Sequence, residues 1–472
     1  MAEVNQAAQF RAGLKSSSTR WLIALLVLIF LFHASTIRRG HRWGDDYALY
    51  IHHAKNIATG TPYANIGYIF DPYYPQYSVR VAAPVFPLFL APVYKTFGMN
   101  FTAFKMVEVV FFVAALAACF ALFRPYLSLP YALLLVAIMG FSPFFWDFKD
   151  DVLSDIPFFF FVFLTALLME KRKPPVLCGI AAYLAIGTRT VGIVLLPAIL
   201  VYELYCARRL TKHTVITLLT TTVFLLLQPI LLHGDPAASY SNLLHPTLHG
   251  IVTNVGHYLQ VLGYFWHTPA HWLTVLISVA MLLTAIRGFS RQQPAFLAVF
   301  ACFYGVTLII WPVSQELRFL IPLLPLFLFY AVQGMQRLGK VATVMVCALL
   351  LVGYGLRYRT ENFSVIPESI GRDDFVAMCT HVQANTQPTD RMVFNRARTL
   401  SLFTDRPASP YHQPANPDDL WKYFKDQNIR YVIVSSLFEK DRNVLEPVIR
   451  LHQAELDLKY QNLEFQVYRV RD

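Results

Sequence analysis

The chain has 472 residues, 56% of them hydrophobic and only 15% charged, with a net charge of +11. A soluble domain carries roughly 25% charged residues. That deficit and a mean hydropathy of +0.44 exclude an ordinary soluble enzyme and indicate an integral membrane protein. The positive balance lies largely between apolar runs, where it sets topology. No basic stripe with interleaved aromatics is present to serve nucleic acid.

Arg11, Lys15 and Arg20 precede the first apolar run, so a first span is expected at about 21–37. No small-residue cleavage site clearly follows it, which favours a retained signal-anchor. Next comes Trp43-Gly44-Asp45-Asp46. After it Tyr47, Tyr50, Ile51, Ala54, Ile57 and Ala58 repeat at helical spacing, and Gly60 offers a stop. His52, His53, Lys55 and Asn56 fall on the opposite side. Such a helix would lie flat among lipid headgroups, with Asp45 or Asp46 capping its start. That places a carboxylate where a lipid-borne phosphate would also lie; plain helix capping by an Asp pair is the alternative. A Tyr/Pro-rich loop follows from Thr61 to Arg80. The apolar stretch 83–92, broken by Pro84, Pro87 and Pro92, reads as a second interfacial helix.

Further spans are expected at 103–123, 131–145, 156–170, 175–187, 190–205, 215–232, 272–286, 295–311, 319–332 and 341–356. That makes about eleven, several shorter than the ~20 residues that cross a bilayer. An acidic loop with Asp147, Asp150, Asp151 and Asp155 leads into Ile156-Pro157, and Arg189 sits at the turn between two short spans. Alternate loops carry Arg124, Lys171-Arg172-Lys173, Arg208-Arg209, Arg287 and Arg337, while 233–271 has no Lys or Arg. The positive-inside rule then puts the N-terminus in the cytoplasm, and the acidic sites and C-terminal region outside. Within 233–271, a surface helix is expected near 252–265. His245/His249 and His267/His271 are spaced four apart, but Pro246 and Pro269 interrupt them. An aromatic interfacial loop is expected there rather than a zinc site.

From about Arg357 the chain reads as a small α/β domain. Helices are expected at 372–384, 418–426 and 444–456, and strands at 391–395, 429–435 and 463–470. It shows no phosphate loop, no Gly-x-Ser-x-Gly and no metal-ligand spacing. Five of the six cysteines lie in or beside apolar runs and only Cys379 falls in this domain, so no disulfide framework is expected.

Asp45-Asp46, Asp155, Arg189 and Arg318 all fall on the outer side. Snorkelling arginines and capping aspartates explain any one of them singly; charges at membrane ends are costly unless paired or useful. The pattern resembles the GT-C glycosyltransferases, in particular the protein O-mannosyltransferase and lipid A aminoarabinose transferase branch. The resemblance rests on Asp45-Asp46 after the first span, Pro84-Val85-Phe86-Pro87, and Ser154-Asp155-Ile156-Pro157. It rests also on Gly187-Thr188-Arg189-Thr190 and on Arg318-Phe319-Leu320-Ile321-Pro322-Leu323-Leu324-Pro325. Val81-Ala82-Ala83-Pro84 departs from the Tyr-Pro-Pro-Gly-type run of the family, and Asp46 stands where Glu also occurs.

The resemblance implies a GT-C membrane domain over 1–356, with interfacial helices in the first outer loop, and a periplasmic α/β domain over 357–472. It implies a bacterial inner-membrane enzyme that moves a sugar from a polyprenyl-phosphate donor to a glycan, lipid or protein acceptor. Asp45, Asp46 and Asp155 would be the catalytic carboxylates, Asp45 acting as general base with inversion. Arg189 and Arg318, with Lys55 and Arg80 behind them, would bind the donor phosphate. Oxygens of Asp45, Asp46 and Asp155 would also suit a divalent cation, which stays open. A flippase of lipid-linked glycans, a related polymerase or ligase, and a non-catalytic scaffold are the alternatives. A transporter would show repeated halves with charges at mid-membrane, which this sequence does not.

Overall fold

The computed structural model describes residues 2–73, 81–232, 247–290, 293–311 and 316–471. Arg80, His233 and His245 lie outside the described residues. Among the described residues, six helices are long and apolar enough to cross a membrane: Ser18–Ser35, Phe101–Phe123, Thr190–Ala207, Lys212–Ile230, His271–Gly288 and Lys340–Thr360. Val85–Phe97, Leu129–Gly140, Pro175–Thr188 and Ala295–Ile310 are shorter apolar helices. The protein is a multi-pass membrane protein.

The chain forms two compact units. One comprises Met1–Ile37, Lys105–Leu227 and Leu244–Ser364; the other comprises Arg38–Phe104, Gln228–Leu243 and Val365–Asp472. The second unit takes in Arg38–Phe104 as well as the C-terminal residues.

The first unit is helical, and proline breaks two of its expected spans. In place of one helix over 131–145, Leu129–Gly140 ends before Pro143–Phe148, because Pro143 brings no N–H donor. Residues 317–320 form a 3-10 turn, and the α-helix begins only at Leu324, after Pro322. His271–Gly288 and Leu324–Leu338 approach very closely at Gly288 and Gly334. A Cβ on Gly334 would run into the carbonyl of Thr284, and one on Gly288 into that of Tyr330. Small residues allow this backbone proximity in a membrane. Near the Asp147–Asp155 loop, Lys105 and Lys149 share the buried carboxylate of Asp150 at 3.5 and 2.9 Å. Lys149 also donates to the Thr36 carbonyl at 2.9 Å. The buried Glu108 accepts from the N–H of Leu153 at 3.1 Å. These pairs fix a loop that could not otherwise hold charge away from water.

The second unit carries one sheet: β1 (Arg391–Val393), β2 (Ala408–Ser409), β3 (Ile429–Ser435), β4 (Leu456–Gln461) and β5 (Phe465–Val470). Its order is β2-β1-β3-β5-β4. β1 runs parallel to β2 and β3, while β5 is antiparallel to β3 and β4. The expected last strand is therefore interior, and the edge beside it is β4, which has no counterpart among the expected strands. Helix Ala397–Thr404 joins β1 to β2, and Pro417–Asp426 joins β2 to β3. Val393, Leu420, Phe424, Val432 and Leu445 are core residues, each buried side chain contributing about 1.5–3 kcal/mol. Residues 67–69 extend the sheet beside β2: Ala408 donates to the Gly67 carbonyl at 2.9 Å and Ile69 to that of Ala408 at 2.8 Å. Gly67 has φ +63° and faces Ser401 so closely that a Cβ would collide with its hydroxyl.

Asp46–Thr59 is a helix, as its periodicity predicts, and ends at Gly60 with φ +74°. Two expectations fail here. The Asp45 side chain makes no capping hydrogen bond; its carbonyl accepts from Leu49 instead. The polar side is not solvated: His52, His53 and Asn56 are buried along with Tyr47, Ile51 and Ala54. His53 Nδ1 lies 2.8 Å from the Tyr63 carbonyl, and its Nε2 accepts from the Ala82 N–H at 3.0 Å. That pair of bonds fixes the neutral Nδ1–H tautomer. Burial lowers the His53 pKa to about 3. His53 thus ties the first interfacial helix to the residues just before Pro84, where Val85–Phe97 begins.

Candidate active site

In the second unit, Asp45 immediately precedes its helix and is 6% exposed. Its Oδ1 is buried without a hydrogen-bond partner, while the Thr399 N–H donates to the carboxylate. Burial pushes the carboxyl above the usual aspartate range; Arg398, Arg396 and the Thr399 bond pull it down, and Asp46 pushes it up. The Tyr47 hydroxyl meets Thr399 Oγ1 at 2.8 Å, and Thr399 Oγ1 donates to the Gly44 carbonyl at 2.9 Å. The helix after β1 therefore clamps the Asp pair from both ends. Asp46 is half-open and 3.9 Å from Arg398, whose guanidinium stands 4.8 Å from the ring centre of Tyr68. Lys55 is engaged elsewhere, its ammonium pairing with Asp405 at 2.5 Å.

In the first unit, Asp155 opens helix Asp155–Glu170 and Arg189 ends helix Pro175–Thr188. They form a buried ion pair at 2.5 Å, leaving Asp155 Oδ2 without a hydrogen-bond partner. The guanidinium of Arg189 stands 4.9 Å from the ring centre of Phe319, and that of Arg318 stands 5.3 Å from the same ring. The Tyr304 hydroxyl holds the Phe319 carbonyl at 3.0 Å. Asp155, Arg189 and Arg318, far apart in sequence, are thus gathered around one phenylalanine. Two guanidinium groups thus share one aromatic ring, and a carboxylate fixes one of them.

Arg396 and Arg398, which charge the surroundings of Asp45, carry no motif that singles them out in the sequence. Their one signal is position: both follow β1 directly, at the carboxyl end of a parallel strand. Among the described residues, no group of three or more His, Cys, Asp or Glu is placed to hold a metal ion.

The family model for dolichyl-phosphate-mannose-protein mannosyltransferase matches residues 81–233. No curated protein matches the sequence. Among solved structures, the chain is similar to ArnT from Cupriavidus metallidurans bound to undecaprenyl phosphate, at 12% identity and TM-score 0.59, over 96% of this chain and 98% of that one. It is similar to the archaeal oligosaccharyltransferase AglB from Archaeoglobus fulgidus, in complex with an inhibitory peptide and a dolichol-phosphate, at 12% identity and TM-score 0.58, over 88% and 69% of the two chains. It also resembles the arabinofuranosyltransferase AftD from Mycobacteria at 13% identity and TM-score 0.57, covering 96% of this chain but only 40% of that one. The chain has the GT-C fold, with a small C-terminal sheet domain.

Proposed function

We propose that this protein is an integral-membrane glycosyltransferase that moves a sugar from a polyprenyl-phosphate donor to an acceptor hydroxyl on the periplasmic side of a bacterial inner membrane. The observation that carries this reading is the buried Asp45 carboxylate with an unpartnered oxygen, in a chain with the GT-C fold. Asp45 takes the acceptor O–H proton as the acceptor oxygen bonds to the anomeric carbon from the face opposite the phosphate. The bond from that carbon to the phosphate oxygen breaks, and the electron pair leaves with polyprenyl phosphate, so the centre inverts. Arg189 and Arg318 stabilise the charge that develops on the leaving phosphate. Asp155 is a positioning residue: its ion pair fixes the Arg189 guanidinium. Arg80 remains a further phosphate ligand in this reading, and Asp46 tunes Asp45. A divalent cation could draw on Asp45 or Asp155, but no step here passes through one.

The test is donor-lipid binding by the full chain in phosphatidylcholine nanodiscs, with undecaprenyl phosphate as probe and the uncharged polyprenol as control. Undecaprenyl phosphate should bind at least tenfold more tightly, and Arg189→Ala with Arg318→Ala should remove the difference. Equal binding of both lipids by the native chain would overturn the reading.

A further inference from the structure

The second unit holds a cleft to which no role has yet been given. It measures about 270 Å³ and is lined by Asn395, Arg396, Phe438, Glu439 and Lys440, with Pro410 and Leu437 beside them. Its place in the fold is specific. Asn395 and Arg396 follow β1, and residues 437–440 follow β3. In the order β2-β1-β3, the chain leaves β1 toward β2 and then returns to β3 on the other side of β1. The carboxyl ends of β1 and β3 therefore flank a topological switch point, where open parallel sheets leave a crevice that binds ligands.

The cleft is built rigidly. Asp441 accepts from Tyr411 Oη at 2.5 Å, Asn395 Nδ2 at 2.9 Å and the Ser435 N–H at 2.8 Å. Those bonds tie the loop after β1 to the loop after β3. Lys440 donates to the Tyr411 carbonyl at 2.6 Å, and Arg396 lies 5.7 Å from the ring centre of Phe438. The Nε of Arg396 is buried without an acceptor. Asp45 feels the charge of both Arg396 and Lys440.

We infer that this cleft is the acceptor subsite, and that the acceptor is a single sugar unit or headgroup bearing a phosphate or carboxylate. Its role as acceptor rests on the proposed chemistry of Asp45; the binding of the anion does not. Arg396 and Lys440 take the anion, Glu439 and Asn395 accept from or donate to hydroxyls, and Phe438 supplies an apolar wall. The volume is just below that of ordinary small-molecule pockets, which start near ~300 Å³, so the cleft itself holds about one ring. Burial lowers the Lys440 pKa to about 8; Arg396 lowers it too, while Asp441, Asp71 and Asp45 raise it. With Glu439 also lining the cleft, Lys440 loses its charge as pH rises from 7 to 9, and anion affinity falls with it.

The experiment is calorimetric titration of the full chain in phosphatidylcholine nanodiscs, without donor, using glucose 6-phosphate, glucuronate and glucose. Both anions should bind and glucose should not. Arg396→Gln and Lys440→Gln should each weaken the anions at least tenfold. Lys440→Arg should preserve binding at pH 7 and abolish its decline toward pH 9, which a merely structural lysine would not do. Exchanging phosphatidylcholine for phosphatidylglycerol separates the sources: competition marks a lipid headgroup as the anion, and no competition marks a soluble or glycan-borne one. Glucose binding as tightly as glucose 6-phosphate, no binding of either anion, or Arg396→Gln and Lys440→Gln titrating like the native chain would overturn the inference. These results stand apart from donor binding at Arg189 and Arg318, so either idea can fail alone.

Discussion

Arg189 pairs with Asp155 at 2.5 Å while its guanidinium stands 4.9 Å from the centre of the Phe319 ring. One carboxylate and one ring thus restrain a side chain that is otherwise among the most flexible. Removing Arg189 has two separable effects. A charged hydrogen bond to donor phosphate is worth ~1.5–3 kcal/mol, so Arg189→Ala should weaken undecaprenyl phosphate tenfold or more. It also strands a buried Asp155, at a folding cost of about 3–5 kcal/mol. The double variant Asp155→Asn with Arg189→Gln should regain most of the thermal stability and none of the donor affinity. Recovery of both would show that the pair serves folding alone.

Asp45 sets stability against activity. Its folded pKa lies above the ordinary aspartate value, so the folded state binds this proton more tightly than the unfolded chain does. The resulting stabilisation is full below the unfolded pKa and is lost as pH rises through the folded one. At neutral pH the ionised form is therefore a burden on folding. Asp45→Asn should match or exceed the native unfolding temperature at pH 7 while transfer falls by about 10²–10⁴. The native rate should rise with pH on the acid limb, through a midpoint above the usual aspartate range. A variant with full transfer would remove Asp45 from the chemistry.

His53 behaves in the opposite sense. Its folded pKa is lowered to about 3, so the stability it contributes is present above its unfolded pKa, roughly 6.5, and is lost as pH falls from there toward 3. His53→Ala leaves the Ala82 N–H unpartnered, at about 1–3 kcal/mol, while the Tyr63 carbonyl keeps the Asn56 amide at 3.2 Å. The native chain should lose more thermal stability between pH 7 and 5 than the variant does. Parallel profiles would mean that His53 does not titrate with unfolding.

Gly334 tests the packing of the first unit. Gly334→Leu must push its backbone away from Thr284, an overpacking cost of roughly 1–3 kcal/mol or more. Gly305 has open space where its Cβ would be, so Gly305→Ala should change little. Thermal unfolding in detergent should separate the two variants; equal unfolding temperatures would refute the close approach.

The helical elements are legible in the sequence because apolar periodicity and flanking charge act locally. Asp46–Thr59 shows in its repeat, and its Gly60 end in the one residue that takes φ +74° without strain. Burial of His52 and His53 is not legible, since it depends on what covers that face. The pairing of residues 67–69, which lengthen the sheet beside β2, has no short-range signature either. The Asp pair and the three residues gathered at Phe319 can be read from motif order. Arg396, Arg398 and Lys440 cannot, because their significance comes from the ends of strands that meet only after folding.

The bond between Tyr47 and Thr399 spans 352 positions. A ribosome adding ~5–20 residues each second needs about 20–70 s to close that interval. Throughout it, the carboxylate pair stands without the arginine-bearing helix that completes its surroundings. The surroundings of the carboxylate pair are therefore completed only late in synthesis, and a chain stopped before Thr399 lacks the helix that packs beside its would-be base.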